Sequence, residues 1–280
     1  MNVVFRADSS EIIGSGHVMR CLTLAVALRD SGVTIEFITR DHPGNLNEYI
    51  KGKGFKIHLL PNQEIPESLH KLSGYEQWLG VTQEVDAAQT IEAVEGKDPD
   101  WIIIDHYALD HEWEARLRSY TGKVMVIGDL ANRNHECDLL LDQNMFEDMS
   151  VRYQGRIPEK CVQLLGPKYA LLQPDYAELR KQIAARKAPL KFLLIFFGGA
   201  DRRNLTGLTL SALEQINIPF ERVDVVISRK SPHYEQVKDQ VMCSSTIRLH
   251  SDLPSLAPLI IIADLAISGG GTANWFDFMG

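Results

Sequence analysis

Short apolar runs alternate with longer amphipathic stretches from one end of the chain to the other. Val3–Phe5, Thr34–Thr39, Lys56–Leu60, Trp101–Ile104, Lys123–Ile127 and Leu139–Leu141 are rich in aliphatic residues, as strands buried on both faces of a sheet are. Between them, Val18–Arg29, Leu46–Lys51, Thr82–Val94 and His111–Ser119 repeat apolar residues at helical spacing. This βαβ rhythm predicts a parallel sheet covered on both sides. It breaks around residues 145–190, where Tyr153–Pro158 reads as loop, GPKYALLQPDY carries two prolines, and a charged helix over Tyr176–Arg186 precedes Pro189. A second series follows, with strands at Lys191–Phe197, Val223–Ile227, Thr246–Leu249 and Asp264–Ile267. Its helices fall near Leu205–Gln215, Tyr234–Val241 and Leu256–Ile262. The expected fold is α/β, with two Rossmann-like doubly wound domains: residues 1–165, a connection over 166–190, and residues 191–280.

A glycine-rich turn follows a strand three times: GSGH at 14–17, FGGAD at 197–201 and SGGGT at 268–272. Ligands of such sheets bind beyond the carboxyl ends of the strands, so these turns are expected to face a cleft between the domains. In EIIGSGHVMRC the dinucleotide fingerprint fails, because its third glycine position is Met19, and no Lys-Ser/Thr follows to make a phosphate loop. What remains is a turn at Gly14, Ser15 and Gly16 that lets a ligand approach the backbone at a helix start. There the helix dipole disfavours an imidazolium at His17, and a neutral imidazole suits a general base. The alternative is a solvent-exposed turn histidine. Gly198 and Gly199, and the three glycines of SGGGT, suit phosphate oxygens on bare N–H groups or are simply flexible loop. Asp201 or Asn204 would cap the next helix. In IIIDHYALD, Asp105 either orients a histidine or caps its strand end, and Tyr107 is placed to stack on or hydrogen-bond a sugar.

Charge narrows the partners. At −8 the chain has no basic stripe for a phosphate backbone, which argues against nucleic acid but not against a small phosphorylated ligand. Cys21, Cys137, Cys161 and Cys243 are scattered and read as reduced core residues of a cytoplasmic protein. Histidine and carboxylate spacings offer no metal site, and no organic cofactor is expected. Leu259–Ile267 is the longest apolar stretch; it is too short to span a bilayer and contains Asp264.

Several motifs share order and spacing with one family: FRAD, IGSGHVMRCLTLA, IIIDHYALDHEWE, DLANRNHECDLLLDQN, GPKYALLQPDY, FFGGADRRNLT and ADLAISGGGT. The chain resembles the UDP-sugar hydrolases of the pseudaminic-acid pathway, together with spore-coat polysaccharide proteins. The resemblance implies a glycosyltransferase-B-like fold similar to MurG. It also implies hydrolysis of UDP-2,4-diacetamido-2,4,6-trideoxy-β-L-altropyranose to UDP and the free sugar, with His17 as the base activating water. Substrate contacts would fall on Arg6 and Asp8 of FRAD, on Gly14, Ser15 and Gly16, on Asp105 and Tyr107, and on Gln143 and Asn144 of LLDQN. Uridine and diphosphate contacts would carry over to Gly270, Gly271, Thr272 and Asn274. Many members place an acidic residue after the glycines where this chain has Phe276, with Asp277 one residue on, and they continue past the position of Gly280. An incomplete second domain is therefore expected, with weak UDP binding, poor turnover and a tendency to form a homodimer. Two rival functions remain: a glycosyltransferase using a UDP-amino sugar, and a catalytically silent UDP-sugar-binding protein.

Overall fold

The computed structural model describes residues 1–62, 74–182, 186, 188–198, 201–216, 219–242, 244–251, 253 and 255–269. It divides the chain into two units, Met1–Leu171 and Leu172–Gly280, at a point inside the 166–190 segment where the βαβ rhythm breaks.

In the first unit the strands are β1 (Asn2–Ala7), β2 (Thr34–Arg40), β3 (Lys56–Leu60), β4 (Trp101–Asp105), β5 (Lys123–Ile127), β6 (Leu139–Asp142) and β7 (Val162–Leu165). The helices are α1 (Gly16–Asp30), α2 (Asn47–Gly52), α3 (Gln83–Val94) and α4 (His111–Leu117), and a 3₁₀ turn spans Gly74–Trp78. The strands form one sheet in the order β3-β2-β1-β4-β5-β6-β7, every neighbouring pair parallel. Successive residues of a strand point to opposite faces, and here both faces are covered. Phe5 and Ala7 pack with Val18, Cys21, Leu22 and Ala25 of α1 and with Ile103 of β4. Ile102 and Ile104 turn the other way, into a cluster with Ala87 of α3 and Trp113 and Leu117 of α4. That double burial is why the strands read as continuous apolar runs.

β7 was not expected. Its four residues sit among prolines and glycines, and Val162 and Gln163 are exposed, so the run lacks the aliphatic density that marks the central strands. Cys137 and Cys161, just before β6 and β7, are buried free thiols whose sulfurs lie 3.6 Å apart. Cys21 is also buried and free; Cys243 lies outside the described residues.

The second unit contains α5 (Pro174–Arg180), β8 (Phe192–Phe196), α6 (Leu205–Gln215), β9 (Arg222–Val226), α7 (Tyr234–Val241), β10 (Ile247–His250), α8 (Ala257–Ile260) and β11 (Leu265–Ser268). Its described strands form a parallel sheet ordered β10-β9-β8-β11. The helix expected from Tyr176 starts two residues earlier, because Pro174 occupies its first turn, where a proline loses no hydrogen bond.

Candidate active site

In the first sheet the strand order reverses between β1 and β4. A doubly wound sheet opens its ligand crevice at such a switch point, beyond the carboxyl ends of the strands. β1 leads through the Gly14–Gly16 turn into α1, and His17 and Arg20 lie one helical turn apart in it. β4 ends at Asp105, with Tyr107 just past it. The switch point therefore brings residues from both sides of it together.

His17 is buried, 7% exposed, which sets aside the solvent-exposed reading. Its Nδ1 lies 2.6 Å from Asp105 Oδ1. Arg20 clasps the same carboxylate, Nε to Oδ2 at 2.5 Å and Nη2 to Oδ1 at 2.6 Å, and the Cys21 thiol approaches Oδ2 at 3.6 Å. Burial pushes the Asp105 carboxyl up, but Arg20 and His17 outweigh it and hold the group well below the usual carboxylate range. An ionised carboxylate can only accept, so His17 donates its Nδ1 proton to Asp105, and in the neutral ring Nε2 is the acceptor nitrogen. The strand-end carboxylate thus orients the histidine, one of the two roles its position allowed.

Arg20 Nη1 also reaches Asp129 Oδ2 at 2.9 Å, just beyond β5. Asp129 in turn bears electrostatically on Tyr107. Burial, with Asp129 as the next contribution, raises the Tyr107 phenol far above its ordinary range. The Tyr107 ring stands edge-on to the imidazole, centroids 4.5 Å apart. The 3₁₀ turn adds Trp78, edge-on to His17 at 5.9 Å and stacked on Tyr107 at 5.5 Å. Tyr75 packs against both at 4.7 and 4.9 Å. An aromatic wall thus flanks the histidine.

Arg20 had a signal in the sequence, since i and i+3 share a helix face. Asp129 follows a strand without a motif, and Tyr75 and Trp78 lie in a segment without clear periodicity.

The other expected residues are placed as follows. Gly14 adopts φ +82°, which an L side chain resists, while Gly16 has an ordinary φ and a Cβ added there meets nothing within 4 Å. Ser15 precedes α1 without capping it by its side chain. Arg6 and Asp8, expected as substrate contacts, face each other in the interior. Both are fully buried, and Arg6 is bidentate to Asp8 at 2.6 and 2.8 Å and to Asp86 at 2.6 and 3.1 Å. Arg40 and the Trp113 indole complete the cluster on Asp86 at 2.6 and 3.0 Å. These two residues hold the floor of the unit together through charges that must stay paired. Gln143 is buried and its Oε1 accepts the Leu171 N–H at 3.0 Å, so it fastens the chain after β7. The Asn144 N–H donates to Asp142 Oδ1 at 3.0 Å, at the same carboxyl edge of the sheet.

In the second unit Gly198 follows β8 with φ +86°. Asp201 accepts the Leu205 and Thr206 N–H groups at 2.8 and 2.9 Å, and Asn204 Oδ1 accepts that of Gly207 at 3.1 Å. These side chains cap α6 and satisfy the N–H groups of Leu205, Thr206 and Gly207. Gly199, Gly270, Gly271, Thr272 and Asn274 lie outside the described residues. Among the described residues no group of three His, Cys, Asp or Glu side chains is placed to hold a metal, and no helix is long and apolar enough to cross a membrane.

No family model matches the chain. It is 26% identical over 98% of its length, and 87% of the relative's, to UDP-2,4-diacetamido-2,4,6-trideoxy-beta-L-altropyranose hydrolase of Campylobacter jejuni. It is 22% identical over 97% of its length, and 72% of the relative's, to the spore coat polysaccharide biosynthesis protein SpsG of Bacillus subtilis. The chain is thus similar over nearly its whole length to both of these proteins. Solved structures share its fold. MurG of Acinetobacter baumannii matches with a TM-score of 0.58 at 13% identity, covering 98% of this chain and 74% of that one. Arabidopsis thaliana UGT89C1 in complex with UDP matches at 0.61 and 13%, covering 99% and 77%. The fold is of the glycosyltransferase-B type, with its parallel sheets in an α/β arrangement.

Proposed function

We propose that this protein acts on a nucleotide sugar and hydrolyses UDP-2,4-diacetamido-2,4,6-trideoxy-β-L-altropyranose to UDP and the free sugar. The observation that carries the reading is the His17–Asp105 pair at the β1/β4 switch point; the C. jejuni relative supplies the substrate. Nε2 of His17 takes a proton from water as the oxygen attacks C1, and the C1–O bond to the diphosphate breaks on the opposite face with inversion. Asp105 keeps the imidazole in the tautomer that can accept that proton and stabilises the imidazolium that forms, the division of labour of a histidine–aspartate pair. UDP leaves as a stable anion, so no separate general acid is needed. The bare turn at Gly14–Gly16 and the first N–H groups of α1 favour the diphosphate's negative charge. The aromatic wall of Trp78, Tyr75 and Tyr107 offers apolar surface to the deoxy and acetamido methyl groups. The remaining nucleotide contacts are proposed at Gly198, Gly199, Gly270, Gly271, Thr272 and Asn274.

The test is His17→Asn assayed for UDP release with no acceptor present. Removal of a general base lowers turnover by ~10²–10⁴-fold, and the wild-type rate is expected to fall on the acid side as an imidazole protonates. Near-normal kcat in the variant, or a flat profile from pH 5 to 8, would remove His17 from the chemistry. Turnover that appears only when a hydroxyl acceptor is added would make the protein a transferase instead. UDP binding without any turnover would make it a silent binding protein.

A further inference from the structure

We propose that Arg20 is a positioning residue that keeps His17 able to accept a proton, by offsetting the charge of the carboxylate behind it; this rests on the reading of His17 as the base. A buried carboxylate alone against a histidine favours the imidazolium, which has no lone pair to receive a proton from water. Here that carboxylate is shared. Arg20 is buried on the same side chain, two of its nitrogens on Asp105 at 2.5 and 2.6 Å and the third on Asp129 at 2.9 Å. Its Nη2 also lies 3.4 Å from His17 Nδ1, where a second positive charge on the ring is opposed directly. One guanidinium thus fixes the carboxylate that orients the imidazole and, through Asp129, the Tyr107 ring that stands 4.5 Å from it. A lysine carries the charge but not the fork needed to reach two carboxylates in a fixed plane.

The groups facing His17 come from each element around it. Arg20 lies on its own helix, Asp105 ends β4, and His106 and Tyr107 follow β4. Tyr75 and Trp78 come from the 3₁₀ turn, and Asp129 acts through Arg20 and Tyr107. His106 is held neutral by burial, down to about 3, so Arg20 is the cation in this set.

UDP release from UDP-2,4-diacetamido-2,4,6-trideoxy-β-L-altropyranose, followed from pH 5 to 9, separates the possibilities. Arg20→Gln is expected to move the acid limb of kcat upward by about one pH unit or more, from the size of a close charge–charge effect. Arg20→Lys is expected to leave the limb near its wild-type position while lowering kcat, and neither variant should raise KM in proportion, because Arg20 acts on side chains rather than on substrate. A limb that stays in place in Arg20→Gln overturns the proposal, as does an equal loss in both variants with no movement of the limb. If Arg20→Gln does not fold, ¹⁵N NMR of the histidine rings in the wild-type protein decides. A neutral His17 with its proton on Nδ1 at pH 7 is expected, and an imidazolium or an Nε2–H tautomer overturns the idea. His17→Asn assayed in parallel tells the two failures apart: if it remains active the base reading falls, whereas an inactive His17→Asn with an unmoved limb in Arg20→Gln refutes the role of Arg20 alone.

Discussion

His106 shows how much one buried side chain can report. Its Nδ1 accepts the Ala108 N–H at 3.1 Å, so the ring proton sits on Nε2, facing Asp8 Oδ2 at 3.5 Å. Burial lowers its titration to about 3; Asp8 works against the shift and Arg6 adds to it. Unfolding returns the ring to an ordinary value near 6.5, so the unfolded chain binds an extra proton between those limits. The folded state is therefore favoured in full above about pH 6.5, and that contribution is lost as pH falls toward 3, on the order of 1 kcal/mol per pH unit. Asp8, Asp86 and Asp105 are held below the usual carboxylate range, and their stabilisation is lost only below about pH 4. Urea midpoints measured from pH 7 to pH 4 should fall in the wild type and fall less in His106→Asn, which keeps an acceptor for the Ala108 N–H. Parallel slopes in the two proteins would show that another group carries the dependence.

α1 combines packing and chemistry in one element. Val18, Cys21, Leu22 and Ala25 bury one side of it against β1, while its first turn presents His17 and Arg20 to the ends of β4 and β5. The two glycines at its start are not equivalent. Gly14 answers a backbone demand at φ +82°, whereas among the described residues nothing lies within 4 Å of a Cβ placed at Gly16. A position that is glycine without strain or crowding is what close approach of a ligand to the backbone calls for. Gly16→Ala should therefore unfold at the same urea concentration as the wild type or slightly higher, while KM for the UDP-sugar rises. An unchanged KM would detach this turn from substrate binding.

At the scale of the molecule, the two parallel sheets repeat one solution. Each reverses its strand order beside its first strand, between β1 and β4 and between β8 and β11. β1 and β8 each lead into a glycine with positive φ, Gly14 and Gly198, yet the two reversals are equipped differently. The first carries a histidine, two carboxylates and a guanidinium; the described part of the second caps its own helix with Asp201 and Asn204. On the proposed reaction, negative charge that develops at the first turn would be met by N–H groups and a helix dipole, so turnover is expected to persist in EDTA. Loss of UDP release in EDTA that magnesium or manganese restores would contradict this account of the diphosphate.

The alternation of aliphatic runs and amphipathic stretches was enough to locate the central strands and most helices, because side-chain periodicity is a local property of each segment. The glycine turn before a helix likewise marked His17, and a strand end marked Asp105, from a few neighbouring residues. β7 escaped because a half-exposed edge strand of four residues has little apolar pattern to show. The pairing of Arg6 with Asp86, eighty residues away, had no local signal. The same holds for the site. Arg20 meets Asp105 across 85 residues and Asp129 across 109, and Trp78 reaches His17 from a turn without a motif. Strand order decides which strand ends become neighbours, and strand order is settled by packing the whole sheet. The sequence by itself therefore determined the central strands, most helices and the position of His17 at a helix start, and only the tertiary structure decided which charges and rings surround it.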